Sequence, residues 1–239
     1  MATQARDAPD AEANATSTVG GNDPGVDAPT RLFLIRHGET GWNVEGRYQG
    51  QADPPLNGEG LTQARSLAHR LRKHGVEVLY TSPLLRARAT ADIVSGVLHV
   101  PVSLDARLME INLGQWQGRL AADIEREDPE TFRRWHNEPW LVLPPEGETL
   151  AQVQERVYAA ADEILSRHRG QCVGIVSHRI PYLLLGMRYL GFPRDAVVTF
   201  KIANACFEEI VNTEPGSAAP LDRPWRTLRG GADPGFAIS

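Results

Sequence analysis

Cysteine is nearly absent from this chain: its 239 residues contain two, Cys172 and Cys206. Each lies inside an apolar segment, so buried free thiols are expected in place of a disulfide framework. Long hydrophobic runs are missing too. The longest uncharged apolar stretch toward the end of the chain, 180–187, stops at Arg188, far short of the roughly 20 residues of a bilayer span. No membrane role is therefore expected. Nor is there an excess of positive charge: 25 Lys and Arg face 30 Asp and Glu, a formal net charge of -5. Such a balance offers no basic face for nucleic acid or for an anionic membrane. Residues 1–29 lack the apolar core of a secretory signal, so a cytoplasmic location is expected. Internal repeats are lacking. His69, His74, His99, His136 and His168 show no pair at the tight spacing of a zinc or two-metal site, so they are read as surface or packing residues, and neither a metal nor a cofactor is expected.

What is present reads as a globular protein. Hydrophobic residues make up 41% and charged residues 23%, close to ordinary values. One domain over 30–212 is expected, preceded by a polar, disordered tail at 1–29. A Pro-, Gly- and Arg-rich tail at 213–239 is expected to be partly docked through Trp225 and Leu228, or disordered. Within the domain, strands and helices alternate. The run Leu32-Phe33-Leu34-Ile35 is a strand buried on both faces. A long loop at 41–57 leads to a helix over 58–74, with Asn57 as cap, and then to a strand over 76–80. Ser82-Pro83 opens a helix that runs to 98, a short strand follows at 101–104, and 123–136 and 150–168 are helical. The last strong buried strand is 172–176, and 197–202 and 206–211 form an antiparallel pair at a sheet edge. Such alternation implies a three-layer α/β/α fold, a mostly parallel sheet with helices on both faces and an antiparallel edge strand.

The chemistry sits where strands end. Arg36-His37-Gly38-Glu39-Thr40 follows the first strand directly, and in open sheets of this kind ligands bind outside the carboxyl ends of the strands. Arg36 offers a planar fork of donors for phosphate oxygens. His37 offers a nitrogen able to attack phosphorus, and Gly38 lets backbone N–H groups approach an anion. The second strand leads to Arg86, placed about one turn into the next helix, near a helix N-terminus that favours anions. The last buried strand ends in Ser177-His178. Two arginines and two histidines on one rim would repel without an anion between them, and a phosphoryl group removes the conflict.

The motifs Arg36-His37-Gly38-Glu39-Thr40 with Trp42-Asn43, Gln49-Gly50 through Asp53 to Gly60, Tyr80-Thr81-Ser82-Pro83-Leu84-Leu85-Arg86-Ala87, Leu108-Met109-Glu110, Gly114-Gln115-Trp116-Gln117-Gly118, Pro145-Glu146-Gly147-Glu148-Thr149 and Val176-Ser177-His178 occur in this order. Through them the chain resembles the histidine phosphatase superfamily, the phosphoglycerate-mutase-like group. The resemblance implies that His37 forms a phosphohistidine, with Arg36 and Arg86 holding the phosphoryl oxygens. It implies a hydrogen bond from His178 and from Asn43, and Glu110 as the proton donor. Arginines beside Glu110 should depress its pKa and an incoming dianion should raise it, so its proton is expected mainly in the substrate complex.

Leu113-Gly114 stands where the mutases carry Tyr-Gly, and the mutase insertion is short, which favours a phosphatase over a phosphoglycerate mutase. A non-catalytic phospholigand-binding module is the remaining alternative. Arg179 departs from the glycine expected after the second histidine. It either binds a second anionic group or points outward, and both readings stay open. Trp42, Arg47, Tyr48, Gln49, Trp116 and Arg119 are expected around the entrance. The expected partner is a small-molecule phosphate ester, and whether the chain forms a homodimer is left open.

Overall fold

The computed structural model describes residues 28–212 and two short strands, 225–227 and 236–238. The expected tail at 1–29, apart from its last two residues, and most of 213–239, Leu228 included, lie outside the described residues.

Alternation along the first strand, β1 (Arg31–Arg36), builds both faces of the sheet. Leu32 and Leu34 belong to one buried cluster, and Phe33 and Ile35 to the other, as the two-residue period of a strand requires. Two helices, α2 (Gly58–Leu71) and α3 (Leu85–Leu98), cover the Phe33 side through Leu67, Leu71, Ala87, Ala91 and Val94. The Leu32 side is covered by α6 (Leu150–Arg167) and α7 (Arg179–Leu190), through Val153, Val157, Leu183 and Leu184. The three expected layers are present.

The sheet also contains β2 (Val78–Thr81), β3 (Val102–Leu104), β4 (Cys172–Ser177), β6 (Phe207–Asn212) and β7 (Trp225–Thr227), in the order β3-β2-β4-β1-β6-β7. Strands β1 to β4 are parallel, and β6 lies antiparallel beside β1. The three-residue β7 continues the sheet antiparallel to β6. Because Arg36 lies opposite Ser177, and Thr81 opposite Val176, the segments after β1, β4 and β2 leave the sheet side by side. That register places the site. Among the described residues no helix is long and apolar enough to cross a membrane.

Several expected elements differ. The segment expected as one helix over 123–136 is two, α4 (Ala121–Glu127) and α5 (Pro129–Asn137). Pro129 lacks the N–H that a continuous helix needs, and Asp128 caps the second helix by accepting from Thr131 N. The helix after β2 starts at Leu85, so Arg86 stands at its second residue, not a turn inside it. The loop at 41–57 contains a short helix, α1 (Gly41–Glu45), capped by Thr40. The pair expected from 197–202 and 206–211 does not form. Residues 196–199 are helical, as α8 (Ala196–Thr199), and β5 (Phe200–Ile202) pairs with β8 (Phe236–Ile238) in a separate sheet. The connection between β5 and β6 is tied to the loop after β1 instead: Ala205 N donates to His37 O at 3.0 Å, and Arg36 N to Cys206 O at 3.1 Å.

Candidate active site

A cavity of about 430 Å³ opens at the carboxyl ends of the strands, lined by Arg36, His37, Trp42, Asn43, Tyr48, Gln49, Arg86, Glu110 and Arg179 among others. It thus gathers every candidate site residue except His178. That histidine is fully buried beside it, its ring centroid 5.2 Å from that of His37.

His37 is anchored through its backbone, its N–H donating to Ser177 O at 3.0 Å. Its Nδ1 lies 2.6 Å from Gly38 O. A carbonyl only accepts, so Nδ1 carries the proton and Nε2 keeps its lone pair. Burial, and then the fields of Arg36 and Arg86, hold the His37 pKa well below its ordinary value, which keeps the ring neutral. His178 is shifted the same way, by burial first and then by Arg86. Neither of its ring nitrogens has a hydrogen-bond partner.

Both arginines are fastened by backbone carbonyls. Arg86 donates to Ala52 O at 2.8 Å and Gly50 O at 2.7 Å, and burial lowers its pKa to about 10, which leaves it charged at neutral pH. Arg36 donates to Ile202 O. Each retains a buried Nε without a partner. The expected helix N-terminus beside Arg86 is already occupied, since Asp53 Oδ1 accepts from Leu85 N at 2.6 Å. The expectation for Gly38 also needs correcting. Its N–H donates to Thr90 Oγ1 at 3.1 Å, and an added Cβ would stand 2.5 Å from Gly60 O. Close packing of α2 against the loop, not an approach to an anion, is what requires glycine there.

Glu110 is set by a second network. Its Oε1 accepts from Ile111 N at 2.9 Å and from Ile180 N, near the start of α7, at 3.3 Å. Burial raises its pKa and outweighs the opposing hydrogen bond and the fields of Arg86, Arg179 and Arg36. The arginines do pull the pKa down as expected, but burial outweighs them, so the net shift before any ligand arrives is upward and not downward. Arg156, with no recognisable sequence signal, donates to the carbonyls of Arg107, Met109 and Glu110 and to both oxygens of Glu148. Glu148 in turn accepts from Asn112 N at 2.7 Å.

Asn43 lines the cavity, but its Oδ1 accepts from Thr40 N at 3.1 Å in the cap of α1. Asn204, unforeseen, joins Asn43 to the nucleophile loop by donating to His37 O at 3.2 Å and Asn43 Oδ1 at 3.4 Å. Gln49 brings a buried, unpartnered Oε1. Arg179 lies on the cavity wall, its Nη2 donating to Phe200 O at 3.1 Å. Tyr48 and Arg47 are at the cavity as expected. Trp116 is instead buried in the core against Trp135, and Arg119 pairs with Glu127. Trp135 and His136 take those places in the cavity wall, because α5, once broken at Pro129, turns them toward it.

The described arrangement presents a neutral imidazole with a free lone pair, unpartnered cationic donors around it, and across the cavity a buried carboxyl whose pKa is raised. A family model described as histidine phosphatase superfamily (branch 1) matches residues 32–220. Phosphoserine phosphatase 1 of Hydrogenobacter thermophilus is 38% identical over 180 residues, spanning 75% of this chain and 85% of that protein. Adenosylcobalamin/alpha-ribazole phosphatase of Escherichia coli is 33% identical over 199 residues, 83% of this chain and 94% of that one. The solved structure of Bacillus stearothermophilus YhfR is similar with a TM-score of 0.73 at 36% identity, covering 78% of this chain and 93% of its own. With likeness of this extent in sequence and in fold, the chain belongs to the histidine phosphatase superfamily.

Proposed function

We propose that the protein hydrolyses a small phosphomonoester through a phosphohistidine on His37. The observation that carries this reading is the set of buried polar atoms left without partners around one imidazole: His178 Nδ1 and Nε2, Arg36 Nε and Arg86 Nε. Buried polar atoms without partners are rare in folded proteins, and a phosphoryl group supplies acceptor oxygens to both arginine Nε–H groups and to the one N–H of the neutral His178 ring at once. In the first step His37 Nε2 forms a bond to phosphorus as the ester P–O bond breaks, and Glu110 gives its proton to the departing alkoxide. Arg36 and Arg86 stabilise charge on the equatorial oxygens, and His178 adds a neutral donor. In the second step Glu110, now a carboxylate, takes a proton from water, whose oxygen attacks phosphorus. The P–N bond breaks, which restores His37 and releases phosphate.

The test is hydrolysis of p-nitrophenyl phosphate in excess chelator by the wild type and by His37→Ala, with folding followed by circular dichroism. The expected result is turnover in the wild type and a loss of at least about 1,000-fold in the folded variant. Phosphate exchange that exceeds release and needs bisphosphoglycerate would identify a mutase. Binding of phosphate esters without any turnover would identify a binding module.

A further inference from the structure

Arg179 is a cationic side chain of the cavity that the proposed reaction leaves unused and that, unlike Arg47, is paired with no carboxylate among the described residues. Its Nη2 donates to Phe200 O at 3.1 Å, and no other hydrogen bond or ion pair engages its guanidinium among the described residues. Its field reaches Glu110 and Tyr48, and it also lowers the pKa of Arg36. Burial raises the Tyr48 pKa to about 12, so that hydroxyl is neutral and balances nothing. Glu110 must carry a proton to serve as an acid, and is then neutral as well. Arg47, also on the cavity wall, is already paired with Glu45 at 2.5 Å. In the reactive state Arg36, Arg86 and Arg179 face a phosphoryl dianion, and one positive charge is left over.

Strand β5 anchors that surplus charge beside the phosphoryl site. Arg36 is tied to Ile202 O and Arg179 to Phe200 O. Carbonyls two residues apart on a strand point the same way and lie roughly 7 Å apart. Arg36 and Arg179 are thus anchored at separate points along one wall, which leaves Arg179 available for an anion besides the phosphoryl group that Arg36 and Arg86 hold. From this geometry we infer that Arg179 forms a second anion subsite, and that the substrate is a phosphomonoester carrying another anionic group, a carboxylate or a second phosphate, a few bonds from the ester oxygen. The inference rests on the reaction proposed above for the identity of the first anion.

Binding is measured by calorimetry on His37→Ala, which prevents turnover, using two ligand pairs that each differ by one anionic group. O-phosphoserine and O-phosphoethanolamine differ by a carboxylate. Fructose 1,6-bisphosphate and fructose 6-phosphate differ by a phosphate. The expected result is that one pair shows tighter binding of its doubly anionic member by about 10- to 100-fold, as a charge-assisted fork provides, and that pair identifies the second anion. Adding Arg179→Gln should bring the ratio to about 2 or less. Adding Arg179→Lys, which keeps the charge without the fork, should leave an intermediate ratio and serves if the Gln variant does not fold. Ratios below about 3 in both pairs with Arg179 present, or a ratio that Arg179→Gln leaves intact, would overturn the inference. So would equal weakening of both members of a pair, the mark of a general structural effect. The failure of the hydrolytic reading looks different: a wild type that preserves the ratio yet cleaves no ester retains the subsite and loses the reaction.

Discussion

Arg156 lies outside the cavity wall, yet its guanidinium holds the chain that leads up to and includes Glu110. It donates to Arg107 O at 2.8 Å, Met109 O at 2.6 Å and Glu110 O at 2.9 Å, and to Glu148 Oε1 at 3.0 Å and Oε2 at 2.9 Å. Arg156→Met preserves bulk but leaves three carbonyls and a carboxylate without their donor. Breaking a buried charged pair from one side costs about 3–5 kcal/mol. Both side chains keep about a fifth of their surface exposed (19% and 22%), and Glu148 retains Asn112 N and Gln51 Nε2. The expected loss of stability is therefore at the lower end, about 2–4 kcal/mol by urea unfolding. The kinetic effect should depend on the leaving group. A carboxyl displaced by about 1 Å loses roughly 100-fold in the rate of phosphoryl transfer to His37, but only where the leaving oxygen needs a proton. An alkyl phosphate should lose about 100-fold in kcat/KM, which reports that first step, whereas p-nitrophenyl phosphate, whose phenolate departs without help, should lose less than tenfold. Glu110→Gln should show the same leaving-group dependence, and the double variant should be less than additive. Equal losses on the two esters would refute the positioning role, since they would mean that Arg156 supports the whole site and not its acid.

Gly38→Ala places a methyl group 2.5 Å from Gly60 O, so a loss of about 1–3 kcal/mol in chemical denaturation is expected from overpacking. Gly96→Ala, exposed in α3 with nothing within 4 Å of the new Cβ, should instead raise stability by about 0.5–1 kcal/mol. If the two changes had the same sign, the packing argument would be wrong. Glu110→Gln is expected to stabilise the protein at neutral pH by about 1 kcal/mol, roughly 3 °C in Tm. The sign follows from the raised pKa of Glu110 in the folded state. Stability from its protonated form is complete below the ordinary value of 4.5 and is lost as pH rises through the higher folded value. Scanning calorimetry across pH should therefore show the two proteins alike below 4.5 and diverging above it, and a variant less stable at pH 7 would contradict the reading.

The sheet was legible because burial on both faces leaves long apolar runs. Residues 32–35 and 172–176 are such runs, and the polar residues that close them lie at the cavity or directly behind it. Helix α2 was legible from its apolar period and its Asn57 cap. The break between α4 and α5 was written in Asp128-Pro129, a cap followed by a proline without an N–H, but the apolar period continues across it and hides the signal. Val197-Val198-Thr199 carry strong strand propensity and are nonetheless helical, with Val198 N and Thr199 N donating to Asp195 O at 2.9 and 3.0 Å. Local propensity lost there to the need to present Val197 and Val198 to the cavity. Arg156 and Asn204 were not legible at all. Each acts through carbonyls brought near it only by the finished fold, and an arginine on a polar helix face or an asparagine in a turn looks the same in sequence whether or not such carbonyls wait for it.

The electrostatics of the site work against what water would impose. In water, imidazole has the higher pKa and carboxylate the lower, so between the two values the pair exists as imidazolium and carboxylate, with no lone pair to attack and no proton to give. Burial disfavours charge on either group, which pushes His37 down and Glu110 up. Arginine fields deepen the first shift and oppose the second, so the two groups need different supports. His37 is helped by Arg36 and Arg86, while Glu110 depends on burial outweighing the same cations. An additional guanidinium at position 179 strains that balance, because it pulls on the proton of Glu110. An anion held by Arg179 would offset that pull and raise the Glu110 pKa further, which links recognition of the second charge to readiness for proton transfer.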